Sequence, residues 1–139
     1  FARLRGLSFA RGADFFAVAV PMGHAIGRVG CFLAGCCGGH PPHPVQLYEA
    51  AGLGGIAWAC QRVLARVEGG GLPPGSAFRC YLLLYGVLRL LLDPLRADGR
   101  PERLLGLSHQ QGIAIGLILA ALLWPRVVSA VSSRRPRAA

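Results

Sequence analysis

Apolar residues fall into long stretches separated by short segments rich in proline, glycine or charge. Phe15–Gly27 contains no Asp, Glu, Lys or Arg, and beyond Arg28 the run Val29–Tyr48 is again uncharged. Ala50–Gln61 and Cys80–Leu88 follow, with Arg89 standing before Leu90–Leu92, and Leu104–Pro125 is the longest uncharged run. A helix needs about 20 mostly apolar residues to cross a bilayer. The pattern therefore predicts four spanning helices, over 14–36, 47–66, 76–95 and 108–125. Pro41, Pro42 and Pro44 break the chain after the first, the Gly69–Gly75 segment after the second, and Asp98, Gly99 and Pro101 after the third.

Composition sharpens this picture. Hydrophobic residues make up 53%, charged residues 15%, and mean hydropathy is +0.47. Soluble domains carry roughly 25% charged residues, so polar surface is too scarce here to cover a globule, and disorder is excluded by the same figures. The expected fold is an all-α, polytopic integral membrane helix bundle. It forms one membrane-embedded domain over 1–139 and ends in a disordered basic tail over 132–139. The chain opens on Phe1 without a signal-peptide layout and reads as part of a longer protein.

Charge then orients the bundle. Net charge is +9 and all 15 basic residues are arginines. They flank apolar segments instead of forming one basic face, so membrane lipids, not nucleic acid, are the expected partners. Arg3, Arg5, Arg11, Arg62, Arg66, Arg79, Arg126, Arg134, Arg135 and Arg137 share one side of a four-span arrangement, against Arg96, Arg100 and Arg103 on the other. Positive charge stays inside, which places both ends of the chain in the cytoplasm.

Arg28 and Arg89 remain, each inside a predicted span. An arginine at the centre of a lone helix costs about 2.5–3.5 kcal/mol on insertion scales, and such residues face a protein interior or a wet cavity unless the stem snorkels to the interface. Gly23, Gly27 and Gly30 surround Arg28 and let backbone or ligand approach closely. Tyr85, Arg89 and Asp93 share one helical stripe at spacings of four, with Arg96 three residues on. Two readings stay open for Arg89: an intrahelical ion pair with Asp93, or an arginine that Asp93 holds and presents to an anion. A guanidinium fork matches phosphate geometry, and in a bilayer the abundant phosphate is a lipid headgroup.

Two further groups carry chemistry. Cys31, Cys36, Cys37, His40 and His43 could bind a soft metal, but adjacent Cys36 and Cys37 lack the usual ligand spacing, so packing is the favoured account and no metal is expected. Gln46, Tyr48 and Glu49 open the second span. They read either as an interfacial helix start with an acid suited to the helix dipole, or as a polar wall facing a headgroup or an arriving polypeptide.

At these residues a resemblance emerges. Gly27-Arg28-Val29-Gly30-Cys31-Phe32-Leu33-Ala34-Gly35 and then His43-Pro44-Val45-Gln46-Leu47-Tyr48-Glu49 resemble the prolipoprotein diacylglyceryl transferase family. That family carries Gly-Arg-x-Gly-Asn-Phe-x-Asn-Gly and His-Pro-Ser-Gln-Leu-Tyr-Glu. Tyr85-Gly86-Val87-Leu88-Arg89 with Asp93 and Arg96 is similar to its Tyr-Gly-x-x-Arg-x-x-x-Glu-x-x-Arg, and Ser108-x-Gln110 fits the start of its last helix.

The resemblance implies a multi-pass bacterial inner-membrane enzyme with seven helices, of which this chain supplies the last four. It moves diacylglyceryl from phosphatidylglycerol to the lipobox cysteine thiol in the signal peptide of a prolipoprotein and needs no cofactor. It implies that Arg28, Arg89 and Tyr85 are catalytic and that Gly30, Cys31, Gln46, Glu49 and Asp93 line the substrate site beside Arg28. Cys31 and Ala34 stand where the family has Asn, Cys36 where many members have Glu, and Asp93 where it has Glu. The family's His-Gly-Gly motif is expected upstream. The alternatives are a lipid-binding relative that has lost transfer, and a Cys/His metal or redox membrane protein.

Overall fold

The computed structural model describes residues 9–96, 103–104 and 107–133. Four helices dominate: α1 (Phe9–Leu33), α2 (Val45–Glu68), α3 (Ser76–Leu92) and α4 (His109–Ser133). A 3-10 turn, Asp93–Leu95, extends α3. The two-residue strands β1 (Arg103–Leu104) and β2 (Leu107–Ser108) pair antiparallel just before α4.

The first three helices lie where the apolar pattern predicts, within a few residues. The fourth runs past the expected end at Pro125 to Ser133. Proline removes one backbone donor and crowds the preceding turn, which is why it reads as a stop in sequence. Here the helix continues through it, as α1 does through Pro21. The basic tail assigned to 132–139 thus begins in helix, and residues 134–139 lie outside the described residues.

α3 is the hub, packing against α1, α2 and α4, while α1 also packs along α2. The core joins Ala17, Ile56, Cys60, Leu64 and Ala77, with Tyr81, Tyr85 and Leu88 against it. Large apolar side chains point outward instead: Phe16 is 64% exposed, Ile26 70% and Leu91 67%. Meanwhile Asp14, Gln46 and Glu49 are buried. Beside a largely apolar core, these buried polar groups and outward apolar side chains are both features that call for explanation. Among the described residues, α1 is the one helix long and apolar enough to cross a membrane by length and composition. α3 is short, at 17 residues with Arg79 and Arg89 inside, and α2 carries Glu49, Arg62, Arg66 and Glu68.

One buried carboxylate ties the ends of two helices together. Asp14 on α1 accepts hydrogen bonds from the backbone N–H groups of Gly75, at 2.6 Å, and Phe78, at 3.0 Å. It thereby supplies the cap that the first turn of α3 lacks from its own sequence. Gly75 has φ +95°, a conformation that favours glycine, and a Cβ there would stand 2.5 Å from Trp124 Nε1.

Candidate functional site

At the opposite end of the bundle from Asp14, α2 begins with Val45, and one turn later Glu49 enters the interior with no exposed surface. A buried carboxylate needs compensation, and three helical segments supply it. Arg28 of α1 places Nε 3.1 Å from Oε2. Arg89 of α3 donates to Oε1 at 3.0 Å, and Arg96, just beyond the 3-10 turn, donates to Oε2 at 3.2 Å. His24, one turn before Arg28, brings Nε2 to 3.9 Å from Oε1. Arg89 is further held by Gln110 at the start of α4, whose Oε1 accepts at 2.6 Å.

Arg28 and Arg89 alone outnumber the one carboxylate they share. The pair leaves an excess of positive charge over Glu49 in a largely buried site. Arg28 is the less committed of the two. Its buried Nε has no hydrogen-bond acceptor among the described residues despite lying beside Glu49, and its side chain keeps 16% exposure. A pre-placed cationic fork with donors to spare is a receptor for an oxyanion.

Two residues are placed differently from the simplest local reading. Of the two readings open for Glu49, the interfacial acid does not fit, because the side chain is buried beside Arg28, Arg89 and Arg96. Asp93 does not pair with Arg89 along α3. Where the helix tightens into the 3-10 turn, Asp93 Oδ2 accepts from Ser108 Oγ at 2.7 Å. That bond fastens the end of α3 to the segment leading into α4, and Arg89 is neutralised across helices instead.

The other expected site residues fall around this cluster. Tyr85 lies against His24, ring centroids 5.8 Å apart, and stacks on Tyr81 at 5.6 Å. Gln46 Nε2 donates to the Cys36 carbonyl at 2.8 Å and anchors the loop after α1. Gly30 and Cys31 sit on α1 between Arg28 and that loop. The loop is clamped to the end of α3 by the His40 N–H to Leu95 carbonyl bond at 3.0 Å. Gly39 permits this approach, since a Cβ there would meet the carbonyl oxygens of Leu95 at 2.6 Å and His43 at 2.8 Å.

Of the Cys/His group, Cys31, Cys36 and Cys37 come together with their sulfurs within 4.8 Å of one another. His40 and His43 stand outside that group, and His43 lies near Tyr48 instead, ring centroids 6.2 Å apart. Cys36 and Cys37 share an S–H···S contact at 3.4 Å, and hydrogen bonding with Cys37 is the largest cause that pushes the Cys36 thiol up to about 11. His24 and Asp14 have roles the sequence reading did not assign. His24 could have been found from its i, i+4 spacing to Arg28, whereas nothing local announces that Asp14 caps a helix 61 residues away.

A model of the prolipoprotein diacylglyceryl transferase family matches residues 1–125. The chain is similar to proteins named phosphatidylglycerol–prolipoprotein diacylglyceryl transferase in several bacteria. That of Bordetella avium is 30% identical across 98% of this chain and 58% of its own length. That of Aeromonas hydrophila is 32% identical across 86% and 47%, and that of Mannheimia succiniciproducens 33% across 86% and 48%. The chain thus spans about half the length of the curated relatives it matches. No solved structure matches it. With the arginine, tyrosine and Gln-Leu-Tyr-Glu positions in family order on three packed helices, the chain belongs to the prolipoprotein diacylglyceryl transferase family.

Proposed function

We propose that this chain forms the anion-binding part of an enzyme that transfers diacylglyceryl from phosphatidylglycerol to the lipobox cysteine of a prolipoprotein. The observation that carries the reading is the convergence of Arg28, Arg89 and Arg96 on the single buried carboxylate of Glu49. Glu49 fixes the guanidiniums, and the charge left over faces a phosphate. In the reaction, the acceptor thiolate attacks the glyceryl carbon and a thioether forms. The carbon–oxygen bond to phosphate breaks, its electron pair leaves on glycerol phosphate, and the thiol proton passes to solvent. Fixed donors aimed at the departing phosphate oxygen lower that barrier without reorganising. Arg28 and Arg89 take this catalytic role, with Tyr85 beside them; Gly30, Cys31, Gln46, Glu49 and Asp93 shape or brace the substrate site.

The four helices are read as spans of one domain in the bacterial inner membrane. Outward-facing apolar side chains and inward-facing Asp14 and Glu49 support this. Arg11, Arg62, Arg66, Arg79 and Arg126 gather at the end of the bundle away from Glu49. That end is assigned to the cytoplasm, together with both ends of the chain, and the arginine site to the opposite leaflet.

The test is transfer of labelled diacylglyceryl from phosphatidylglycerol to a lipobox peptide in membranes containing the protein. Arg28→Ala and Arg89→Ala should each lower the rate by about 10²-fold or more, the scale for losing a transition-state donor. Full activity in either variant overturns the assignment. A second reading, a lipid-binding relative without transfer, is favoured by Cys31, Ala34 and Cys36 at positions where the family carries polar side chains. It predicts phosphatidylglycerol binding that needs Arg28, with no thioether formed.

A further inference from the structure

The three thiols at the end of α1 form a group of their own, independent of the carboxylate cluster. Cys31 lies in the last turns of α1, and Cys36 and Cys37 in the loop that follows. Two features bring them together. Gly35 and Cys37 both take left-handed backbone, φ 67° and 60°, which reverses the chain and directs it back over the helix end. A cysteine in that conformation is uncommon, and such strain persists where the surroundings hold it. Gln46, itself buried, then fixes the loop through the Cys36 carbonyl. The result is three sulfurs within 4.8 Å of one another, the Cys36–Cys37 pair at 3.4 Å.

We propose that Cys31, Cys36 and Cys37 bind one soft, thiophilic metal ion, Cu(I) in trigonal all-sulfur coordination. Metal–thiolate bonds of about 2.3 Å at 120° require sulfurs about 4.0 Å apart, so the group needs only small side-chain rotations to close on an ion. Sulfur donors select soft ions. The absence of His40 and His43 from the group leaves three ligands, which suits trigonal Cu(I) better than tetrahedral zinc. Cys36 and Cys37 are exposed and provide the entry path. Binding displaces the thiol protons to solvent and changes no oxidation state when the ion is supplied as Cu(I).

The experiment is anaerobic titration of the reduced, purified protein in detergent with Cu(I) delivered as its bathocuproine complex, followed by desalting and metal analysis. One Cu(I) per chain is expected, with sulfur-only neighbours in X-ray absorption. Cys36→Ser and Cys37→Ser, both at exposed positions, should each weaken retention at least tenfold and leave the thermal midpoint of the metal-free protein unchanged. Cys80→Ser and the double variant His40→Ala/His43→Ala should retain the ion. Copper retained in the Cys36 and Cys37 variants overturns the proposal, as does copper lost equally from the Cys80 variant. Stoichiometric Zn(II) with nitrogen neighbours would do the same.

Discussion

Among the described residues two carboxylates, Asp14 and Glu49, are buried, one near each end of the bundle, and they are partnered in opposite ways. Asp14 spends both oxygens on backbone N–H groups of Gly75 and Phe78, neutral donors that belong to the first turn of α3. The helix end gains an acceptor, the carboxylate gains partial positive charge from the dipole, and nothing is left over. Glu49 instead receives guanidiniums from Arg28, Arg89 and Arg96. Arg28 and Arg89 alone carry more charge than it can balance. A buried acid that meets backbone joins two elements; one that meets several arginines holds a charged surface ready for something else.

Replacing the acids separates the two ends. Glu49→Ala leaves three arginines facing one another without their carboxylate, and losing one partner of a buried ion pair costs about 3–5 kcal/mol. A large fall in the unfolding midpoint in detergent should accompany loss of transfer. Glu49→Gln keeps the shape and isolates the charge; if it remained as stable and active as the parent, the contrast drawn here would collapse.

Asp14→Ala should cost less, about 1–3 kcal/mol, because it strands two backbone donors but no full charge. The same thermal measurement reads the loss. At a temperature where the variant is folded, transfer should be unchanged, and a proportionate drop in both would mean that the two ends are coupled. The smallest effect is expected from Gln110→Ala, which removes the 2.6 Å acceptor from Arg89 but leaves Glu49 in place. A loss of about 1.5 kcal/mol, the low end of the scale for one bond to a charged group, is expected at this partly exposed position. A rate loss larger than the stability loss would show that Gln110 positions Arg89 for the reaction.

Much of this arrangement was legible in sequence, for a simple reason. Arg28 and Arg89 stand out because charge is conspicuous in apolar helices, and the helices themselves follow from where charge is missing. What escaped was partnership across helices. Spacing of four pairs Asp93 with Arg89 on paper, yet the tightening of the chain at Asp93 sends that side chain to Ser108, and a residue 40 positions away takes its place. Glu49 looked like a residue at a membrane surface because it lies near a helix start; packing against α1 and α3 buries it. The cysteines show the converse. Their adjacency argued against a shared site, and the left-handed backbone at Cys37, which no local rule demands of a cysteine, brings the sulfurs into one group while His40 and His43 stay apart.

Sharing one acid among helices also sets an order for biogenesis. In the proposed membrane setting, Arg28 on α1 waits for Glu49 until α2 follows, and the pair then forms a hairpin whose charges cancel at that end. α3 arrives afterwards with Arg89 and finds the carboxylate already in place. The sequence of synthesis is thus the sequence in which charge is covered. A chain halted before α2 would leave Arg28 without Glu49, whereas one halted after α2 would not.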